Sequence, residues 1–326
     1  MPERSIGAFA GAAAALLLTW LAAAPTQAVL CGDAVGGVDV PCDCGDVVVS
    51  SLTLDDADPV TRTVCANDGL IVRAAGARAA IRVDLRGYTL RGSGRGSGVD
   101  VDDGGPGGTR IVSEGGPATL LGFDDGVTAR GPEAVALLQD VVVRGSRRDG
   151  VRISGRGYVI RRVVVEQARR DGFNLGGDAF EVLATRASDC GRFGYSLMGD
   201  SGIVGRADAG NLAERSGMAG FNVMGTGHVL EACTARDGRK AGVTLQASRL
   251  DVRGCDATGN GSDGIAGVGS GWLLSDNRAD GNGGDGLRAR GPGMVDAGGN
   301  RGAGNQGEGR GRDVAQCVIG GAPCAL

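Results

Sequence analysis

The chain has 326 residues, of which 63 are glycine and only 3% are aromatic, and its formal net charge at pH 7 is −4. This charge balance excludes the basic excess that a nucleic-acid-binding protein needs. Hydrophobic residues make up 42% of the chain, too many for a low-complexity disordered protein. Abundant glycine with few aromatics is typical of a fold with many tight turns around a thin core.

Residues 1–28 are predicted to be a cleaved signal peptide. Arg4 precedes an apolar run from Ile6 to Ala24, and Thr26 and Ala28 supply the small residues that signal peptidase requires. An uncleaved membrane anchor is the alternative, because a run of this length nearly spans a bilayer. We expect cleavage, and hence a secreted, periplasmic or cell-surface protein with no stable membrane insertion.

A glycine followed by an apolar, a variable and an apolar residue recurs along the chain. The recurrence is nearly regular, and the glycines are Gly98, Gly126, Gly150, Gly172, Gly194, Gly220, Gly242, Gly264 and Gly286. Within each unit the apolar residues alternate with the period of two that β-strands show. The spacing predicts a solenoid in which each coil has about 22 residues. The first two intervals and the one from Gly194 to Gly220 are longer.

Residues at equal distances before these glycines form columns. Nine positions before them stand Val141, Val163, Thr185, Asn211, Cys233, Cys255 and Asn277. We expect successive coils to lie about 4.8 Å apart, so that equivalent side chains stack. A buried Asn in a column would hydrogen-bond the turn backbone and its stacked neighbour. A second Asn column, Asn260, Asn282 and Asn305, would bury Asn260 despite its Asn-Gly-Ser glycosylation sequon.

These repeats resemble the right-handed parallel β-helix superfamily, the pectate-lyase-like solenoids, and in particular exported bacterial β-helix repeat proteins. The resemblance covers about residues 67–310 and implies an all-β, single-stranded parallel β-helix. Residues 29–66 are predicted to form a Cys-rich N-terminal cap and residues 311–326 a C-terminal cap segment. The resemblance is specific for the fold; it leaves the activity and the oligomeric state open.

The cysteines near the two ends of the mature chain are predicted to form disulfides, which export permits: Cys31, Cys42, Cys44, Cys65, Cys317 and Cys324. The first four allow three connectivities, and the last two are expected to pair with each other. Cys233 and Cys255 share a column and are close enough for a bridge. We favour two free buried thiols instead, because a bridge along a column demands an unusual dihedral angle. Cys190 is likewise predicted to be free and buried.

An arginine-rich turn is the most suggestive candidate site. The sequence Arg-Arg-Asp-Gly at 147–150 repeats at 169–172. Stacking is expected to align its basic residues and their neighbours into a basic stripe: Arg147, Arg148, Arg169, Arg170, Arg192, Arg239 and Lys240. Asp149 and Asp171 would lie beside this stripe and offer oxygen ligands for Ca²⁺. The sequence favours the alternative, a solvated turn whose charges neutralise one another, because Asp-Gly is ordinary turn chemistry.

The superfamily resemblance implies extended anionic polysaccharides as ligands, bound beside a parallel sheet. Its uronate lyases use Ca²⁺ to neutralise the substrate carboxylate and an Arg or Lys as the base. If the chain is an enzyme, Arg170 would be the base and Asp171 the metal or acid ligand. No complete catalytic signature is present: His228 is the only histidine, and its column with Phe180 and Trp272 predicts a packed core residue.

We therefore predict an exported solenoid that binds extracellular or cell-wall polysaccharide, or that serves as a surface or structural element. The alternative is a Ca-dependent uronate lyase or epimerase that acts through the Arg and Asp residues of the repeated turn.

Overall fold

The computed structural model describes residues 29–74, 80–306 and 316–324. The predicted signal peptide lies outside these residues. In the described part, the only helix is the single 3-10 turn Pro59–Thr61, which is far too short to span a membrane.

Three sheets run along the molecule, and all their strand pairs are parallel except the pair at each end of the first sheet. This first sheet, which we call the long sheet, consists of Leu30–Val35, Val38–Val40, Asp46–Val48, Leu70–Arg73, Ser97–Asp103, Asp125–Arg130, Val151–Arg156, Phe173–Asp178, Tyr195–Asp200, Phe221–Thr226, Val243–Ser248, Ile265–Val268, Leu287–Arg290, Cys317–Ile319 and Ala322–Pro323.

The second sheet consists of Leu52–Thr53, Arg82–Asp84, Thr109–Val112, Val135–Gln139, Val159–Arg161, Glu181–Leu183, Ile203–Val204, Val229–Glu231, Asp251–Arg253, Leu273–Ser275 and Val295–Asp296. The third consists of Val64–Cys65, Thr89–Gly92, Ala118–Leu121, Val141–Arg144, Val164–Glu166, Arg186–Ser188, Asn211–Glu214, Cys233–Arg236, Asp256–Thr258, Arg278–Asp280 and Arg301–Ala303. The chain visits the long, second and third sheets in turn, which confirms the predicted all-β solenoid.

Strand pairing confirms the register expected from the repeat. Asn211 pairs with Cys233 at the regular interval, whereas Arg186 pairs with Leu212 across the longer coil. Val182 still pairs with Val204 at the regular interval. The extra residues of the longer coil therefore lie in the loop that leads from the second sheet to the third.

The inward side chains of successive coils stack, as the columns predict. The rings of Phe173 and Tyr195 are 4.8 Å apart and those of Tyr195 and Phe221 are 4.5 Å apart, each pair inclined by 3°. These distances match the separation of paired strands, so equivalent rings meet face to face. His228 is fully buried, and its Nδ1 accepts the Gly202 N–H at 3.0 Å, which confirms a packed core histidine.

Buried asparagines close the turns of the C-terminal coils. Asn282 Nδ2 donates to the Ala257 carbonyl at 2.9 Å, and its Oδ1 accepts the Asn260 backbone N–H at 3.0 Å. Asn305 accepts the Asn282 backbone N–H in the same manner at 2.9 Å. Asn260 is only 2% exposed, so its side chain lies inside the coil as predicted.

Four disulfides hold the described chain. The N-terminal pairs are Cys31–Cys42 and Cys44–Cys65, and Cys317 pairs with Cys324 as predicted. Cys190 is a free buried thiol as expected, and burial raises its pKa to about 12.

The prediction of free thiols at Cys233 and Cys255 is wrong, because the two residues form a disulfide. They occupy the same inward position on adjacent coils, and their Cα atoms are 4.5 Å apart, within the range that a disulfide spans. The bridge therefore joins two neighbouring coils from inside.

We predict that Asn282→Ala lowers the free energy of unfolding by about 2–4 kcal/mol, because buried backbone and amide groups lose their partners. Guanidinium denaturation followed by circular dichroism measures the change. The exposed Asn67→Ala is the control and should change stability by less than about 0.5 kcal/mol. Equal denaturation midpoints for the two variants would contradict a stabilising role for the Asn column.

Candidate ligand-binding groove

One face of the long sheet carries a continuous row of outward polar side chains, which we call the floor ladder. Because side chains alternate along a strand, these residues face outward between neighbours such as Val99 and Val101 that are buried in the core. Strand pairing places the members in one line: Asp100, Thr128, Arg152, Asn174, Ser196, Asn222 and Thr244. Asp100, Arg152, Asn174 and Thr244 are partly exposed and are open to a ligand that runs along the solenoid, whereas Thr128, Ser196 and Asn222 are at most 8% exposed.

Buried aspartates line the turn that leads into this sheet. Asp125 accepts the Asp149 backbone N–H at 2.9 Å, and Asp149 accepts that of Asp171 at 3.2 Å. Asp171 accepts the Phe193 N–H at 3.3 Å. Asp149 and Asp171 are stacked as predicted, but they are 0% and 2% exposed and lie beneath the surface. Burial raises the pKa of Asp125 and of Asp171.

Above these carboxylates lies a row of three arginines, which we call the arginine row: Arg148, Arg170 and Arg192. The Arg170 N–H donates to the Arg148 carbonyl at 3.0 Å and the Arg192 N–H donates to the Arg170 carbonyl at 2.9 Å. The three side chains are 40%, 41% and 41% exposed. The row therefore presents one accessible guanidinium group on each of three successive coils.

The arginines of this row are near the buried aspartates without being hydrogen-bonded to them. Arg170 Nε is 3.8 Å from Asp149 Oδ1, and Arg192 Nε is 3.8 Å from Asp171 Oδ1. Arg148 Nη1 is 3.9 Å from Asp125 Oδ2. These distances exceed those of a hydrogen bond. The aspartates thus offset the positive charge of the row while its N–H donors stay available.

Two arginines elsewhere on the solenoid are hydrogen-bonded to carboxylates at short range. Arg162 donates two hydrogen bonds of 2.7 Å to Asp140, and Arg215 donates two of 2.8 Å to Asp189. Both arginines hold the pKa of their carboxyl partner below its usual range. The predicted basic stripe differs from these pairs. Its members are Arg147, Arg148, Arg169, Arg170, Arg192, Arg239 and Lys240, and none of their side chains donates a hydrogen bond to a carboxylate of the described residues.

The structure brings the predicted stripe together only in part. Arg147 and Arg169 occupy equivalent places beside the arginine row. Met218 follows Arg192 in the row, since its N–H donates to the Arg192 carbonyl at 2.7 Å. Arg239 and Lys240 lie one coil beyond Met218 and are separated from the other basic residues. Arg170 and Asp171 also differ in access, because only Arg170 reaches the surface.

We call the surface between the floor ladder and the arginine row the groove. A cavity of about 240 Å³ opens at its N-terminal part, and sequence reasoning missed it. Its lining includes Asp100, Thr128, Arg130 and Arg148. Thr128 donates a hydrogen bond to Asp100. Burial raises the pKa of Asp100, and the neighbouring charges of two further aspartates act in the same direction. The signal was the Asp-Val-Asp sequence at 100–102, in a coil that is longer than the regular repeat.

Calcium stays a prediction. Across residues 29–74, 80–306 and 316–324, no three His, Cys, Asp or Glu side chains are grouped to hold a metal ion. Asp149 Oδ1 accepts the Asp171 N–H, and its Oδ2 accepts the Asn174 amide at 3.0 Å. Because these oxygens already accept hydrogen bonds, calcium at Asp149 and Asp171 would have to displace the donors, or would need further oxygen ligands from the carboxylates of a bound ligand.

A family model described as a right handed beta helix region matches residues 125–266. The match covers less than half of the chain, and the three parallel sheets show that the chain folds as a parallel β-helix. This finding confirms the superfamily resemblance seen in the repeats. No curated protein matches the sequence significantly.

Several solved structures are similar to this β-helix. The A-module of the mannuronan C-5 epimerase AlgE4 from Azotobacter vinelandii is 16% identical, with 79% of this chain and 85% of that chain covered and a TM-score of 0.43. The periplasmic alginate epimerase AlgG is 13% identical over 74% of this chain and 66% of that one, with a TM-score of 0.48. Pectate lyase Pel9A is 14% identical over 71% and 63%, with a TM-score of 0.40.

The buried aspartates of the β-helix predict an unusual response to pH. A carboxyl group whose pKa is raised by folding costs stability when it is charged at neutral pH, and the cost disappears as the pH falls through the folded pKa. We therefore expect Asp171→Asn to raise the melting temperature at pH 7 by about 2 °C. In acid the variant and the parent should melt alike.

Asp189→Asn is the matched control with the opposite sign. Arg215 lowers the pKa of Asp189, so this carboxylate stabilises the fold at neutral pH and the contribution is lost as the pH falls through the lowered pKa. The control variant should melt below the parent at pH 7 and approach it in acid. Calorimetric scans across this range that gave both variants the same pH trend would contradict the assignment.

Proposed function

We propose that this β-helix binds an extended anionic polysaccharide along the long sheet, with the arginine row holding the carboxylates of the sugar chain. The observation that carries the proposal is the row itself, whose three exposed guanidinium groups keep their donors free. Guanidinium groups bind carboxylates through paired hydrogen bonds. Successive groups lie one strand spacing, about 4.8 Å, apart. A polymer of uronate residues offers carboxylates in a comparable linear series.

The floor ladder supports the same proposal. A ligand that follows the arginine row also runs along the partly exposed side chains of Arg152 and Asn174. Such groups hydrogen-bond sugar hydroxyls and fix their orientation, as the few polar groups of a binding site do. Solenoids provide long surfaces that suit extended ligands.

Export belongs to the proposal. Disulfides form and persist in oxidising compartments, and the described chain contains four of them. Together with the predicted signal peptide, they support a secreted, periplasmic or cell-surface protein. A β-helix found there meets cell-wall and extracellular polysaccharides. If the protein binds no polysaccharide, the remaining hypothesis is a structural role at the cell surface.

A Ca-dependent uronate lyase or epimerase is the second candidate, favoured by the cavity at Asp100. Arg130 lines this cavity, is exposed, and donates no hydrogen bond to a carboxylate among the residues that the structure describes. Arg170 stays the proposed base of the arginine-rich turn, while the buried Asp171 would act through Arg192 rather than touch substrate. Calcium, when bound, would neutralise the substrate carboxylate.

The two candidates differ in a simple assay. A lyase releases an unsaturated uronate that absorbs in the ultraviolet, and an epimerase exchanges the sugar C5 proton for solvent deuterium. Incubation with pectate and with alginate, each with and without Ca²⁺, detects both reactions. Turnover supports the second candidate, whereas binding without turnover supports the first.

We predict that replacing Arg148, Arg170 and Arg192 together with Ala weakens binding to oligogalacturonate or oligomannuronate by at least about tenfold. The reason is the loss of three charge-assisted contacts. Calorimetric titration at two salt concentrations measures the affinity and its electrostatic part.

The matched control replaces Arg162, Arg215 and Arg253 with Ala. It changes the net charge by the same amount, but these three arginines lie in close ion pairs away from the groove. This variant should bind as the parent does. Equal weakening by the two triple variants would mean that only net charge matters, and the arginine row would then have no specific part.

A further inference from the structure

The arginine row ends at an acidic residue on its N-terminal side. The Arg148 N–H donates to the Asp124 carbonyl at 2.8 Å, so Asp124 occupies the position of the row one coil before Arg148. The Asp124 side chain is 33% exposed, and its Oδ2 is 3.9 Å from Arg148 Nη1. The row therefore changes from positive to negative between two adjacent coils.

The floor ladder changes in the same direction. Toward the N-terminus, Arg152 is followed by Thr128 and Asp100, and Ile71 pairs with Asp100 and continues the line. Toward the C-terminus, the ladder members that follow Arg152 are amides and hydroxyls. Along the row and the ladder, an anionic chain thus meets carboxylates on the N-terminal side alone.

The cavity at Asp100 lies at this end of the groove and is better suited to hydroxyl groups than to a series of carboxylates. Four carboxylates and two guanidinium groups line it: Asp100, Asp102, Asp124, Asp125, Arg130 and Arg148. Ionised carboxylates accept hydrogen bonds from sugar hydroxyls but repel the carboxylates of a uronate chain. The terminal sugar of a chain has an additional free hydroxyl group, and the exposed Arg130 is available for the single carboxylate of that sugar.

A chain that continued past this cavity would place its next carboxylates over Asp100 and Ile71. Arg73, the next arginine in that direction, is already occupied, since its Nη2 and Nε donate to Asp102 at 2.7 and 3.0 Å. Such a chain would gain repulsion without gaining a cation. Like charges of this kind exclude a wrong ligand as effectively as attractive contacts select the right one.

We infer that the groove binds the end of an anionic chain, with the terminal sugar in the cavity at Asp100 and the following carboxylates over Arg148, Arg170 and Arg192. Asp124 determines this mode, because it closes the row to a chain that continues in the N-terminal direction. The inference rests on the proposed function and adds which part of the polysaccharide the protein binds.

Calorimetric titration at pH 7 with a short and a long oligogalacturonate tests the inference, because it counts the protein molecules bound per chain. Each chain has the same number of ends whatever its length, so we expect the same count for both oligomers. Binding to the interior would let several protein molecules share the longer chain. A count that rises in proportion to the chain length overturns the inference.

Two oligomers, each with one altered end, form the second arm. Borohydride reduction opens the ring at the reducing end, whereas cleavage by a lyase leaves an unsaturated sugar without its C4 hydroxyl at the other end. We expect one of these changes to weaken binding by about tenfold, which identifies the end that enters the cavity. Equal affinity of both altered oligomers and the unaltered one overturns the inference.

Asp100→Asn with Asp124→Asn should open the groove to the interior of the chain and raise the count on the long oligomer at least about twofold. Asparagine keeps a hydrogen-bond acceptor and removes the charge. Asp208→Asn with Asp276→Asn is the matched control, since both residues are exposed and lie in connections from the second sheet to the third. An unchanged count in the first variant, or an equal rise in the control, overturns the role of Asp124. Circular dichroism verifies that the variants are folded.

The outcomes separate the inference from the function on which it rests. Binding whose count follows the chain length overturns the inference and leaves polysaccharide binding intact. Failure of the parent protein to bind any oligomer overturns the proposed function itself.

Discussion

The structure depends on the parallel pairing of each coil with the next. Backbone hydrogen bonds between strands fix the coil spacing at about 4.8 Å, so residues one coil apart in the chain become direct neighbours. Equivalent positions therefore line up along the solenoid axis, and each side chain contacts those at the same position one coil above and one coil below. Rings stack on rings, amides on amides, and two cysteines come within bonding range for this reason.

Charged residues are the difficult case under this constraint, because like charges stacked directly on one another repel. The second and third sheets and their connecting turns avoid the problem by pairing opposite charges on adjacent coils, as in Arg144 with Glu166 and Arg253 with Glu231. The turn before the long sheet uses buried aspartates instead, which bind backbone N–H groups and lie near the arginines without hydrogen-bonding them. As a result, the guanidinium groups of the arginine row face outward and their N–H donors are not hydrogen-bonded to the aspartates. This is the property on which the proposed polysaccharide binding depends.

The regular part of the solenoid could be predicted from the sequence because counting back from each glycine is equivalent to counting along a column. The Asn columns, the buried Asn260 and His228, and the terminal disulfides followed from that count or from the position of the cysteines. The Cys233–Cys255 bridge did not, because whether two stacked thiols are joined depends on local backbone geometry that a sequence does not display.

The candidate site was less predictable. The stacking of Asp149 and Asp171 could be expected, but an Asp-Gly turn does not reveal whether its carboxylate points to solvent or to the backbone of the next coil. The cavity at Asp100 lies in a coil with irregular spacing, where counting back from glycines loses the register.

A crystal structure of the protein with a bound uronate oligomer tests the central claim most directly, since it locates the ligand against the columns. We predict an oligomer that runs parallel to the solenoid axis on the long sheet, with carboxylates on at least two of Arg148, Arg170 and Arg192. An oligomer bound across the coils, or on the second or third sheet, would contradict the claim that uncommitted arginines at the groove margin define the binding face.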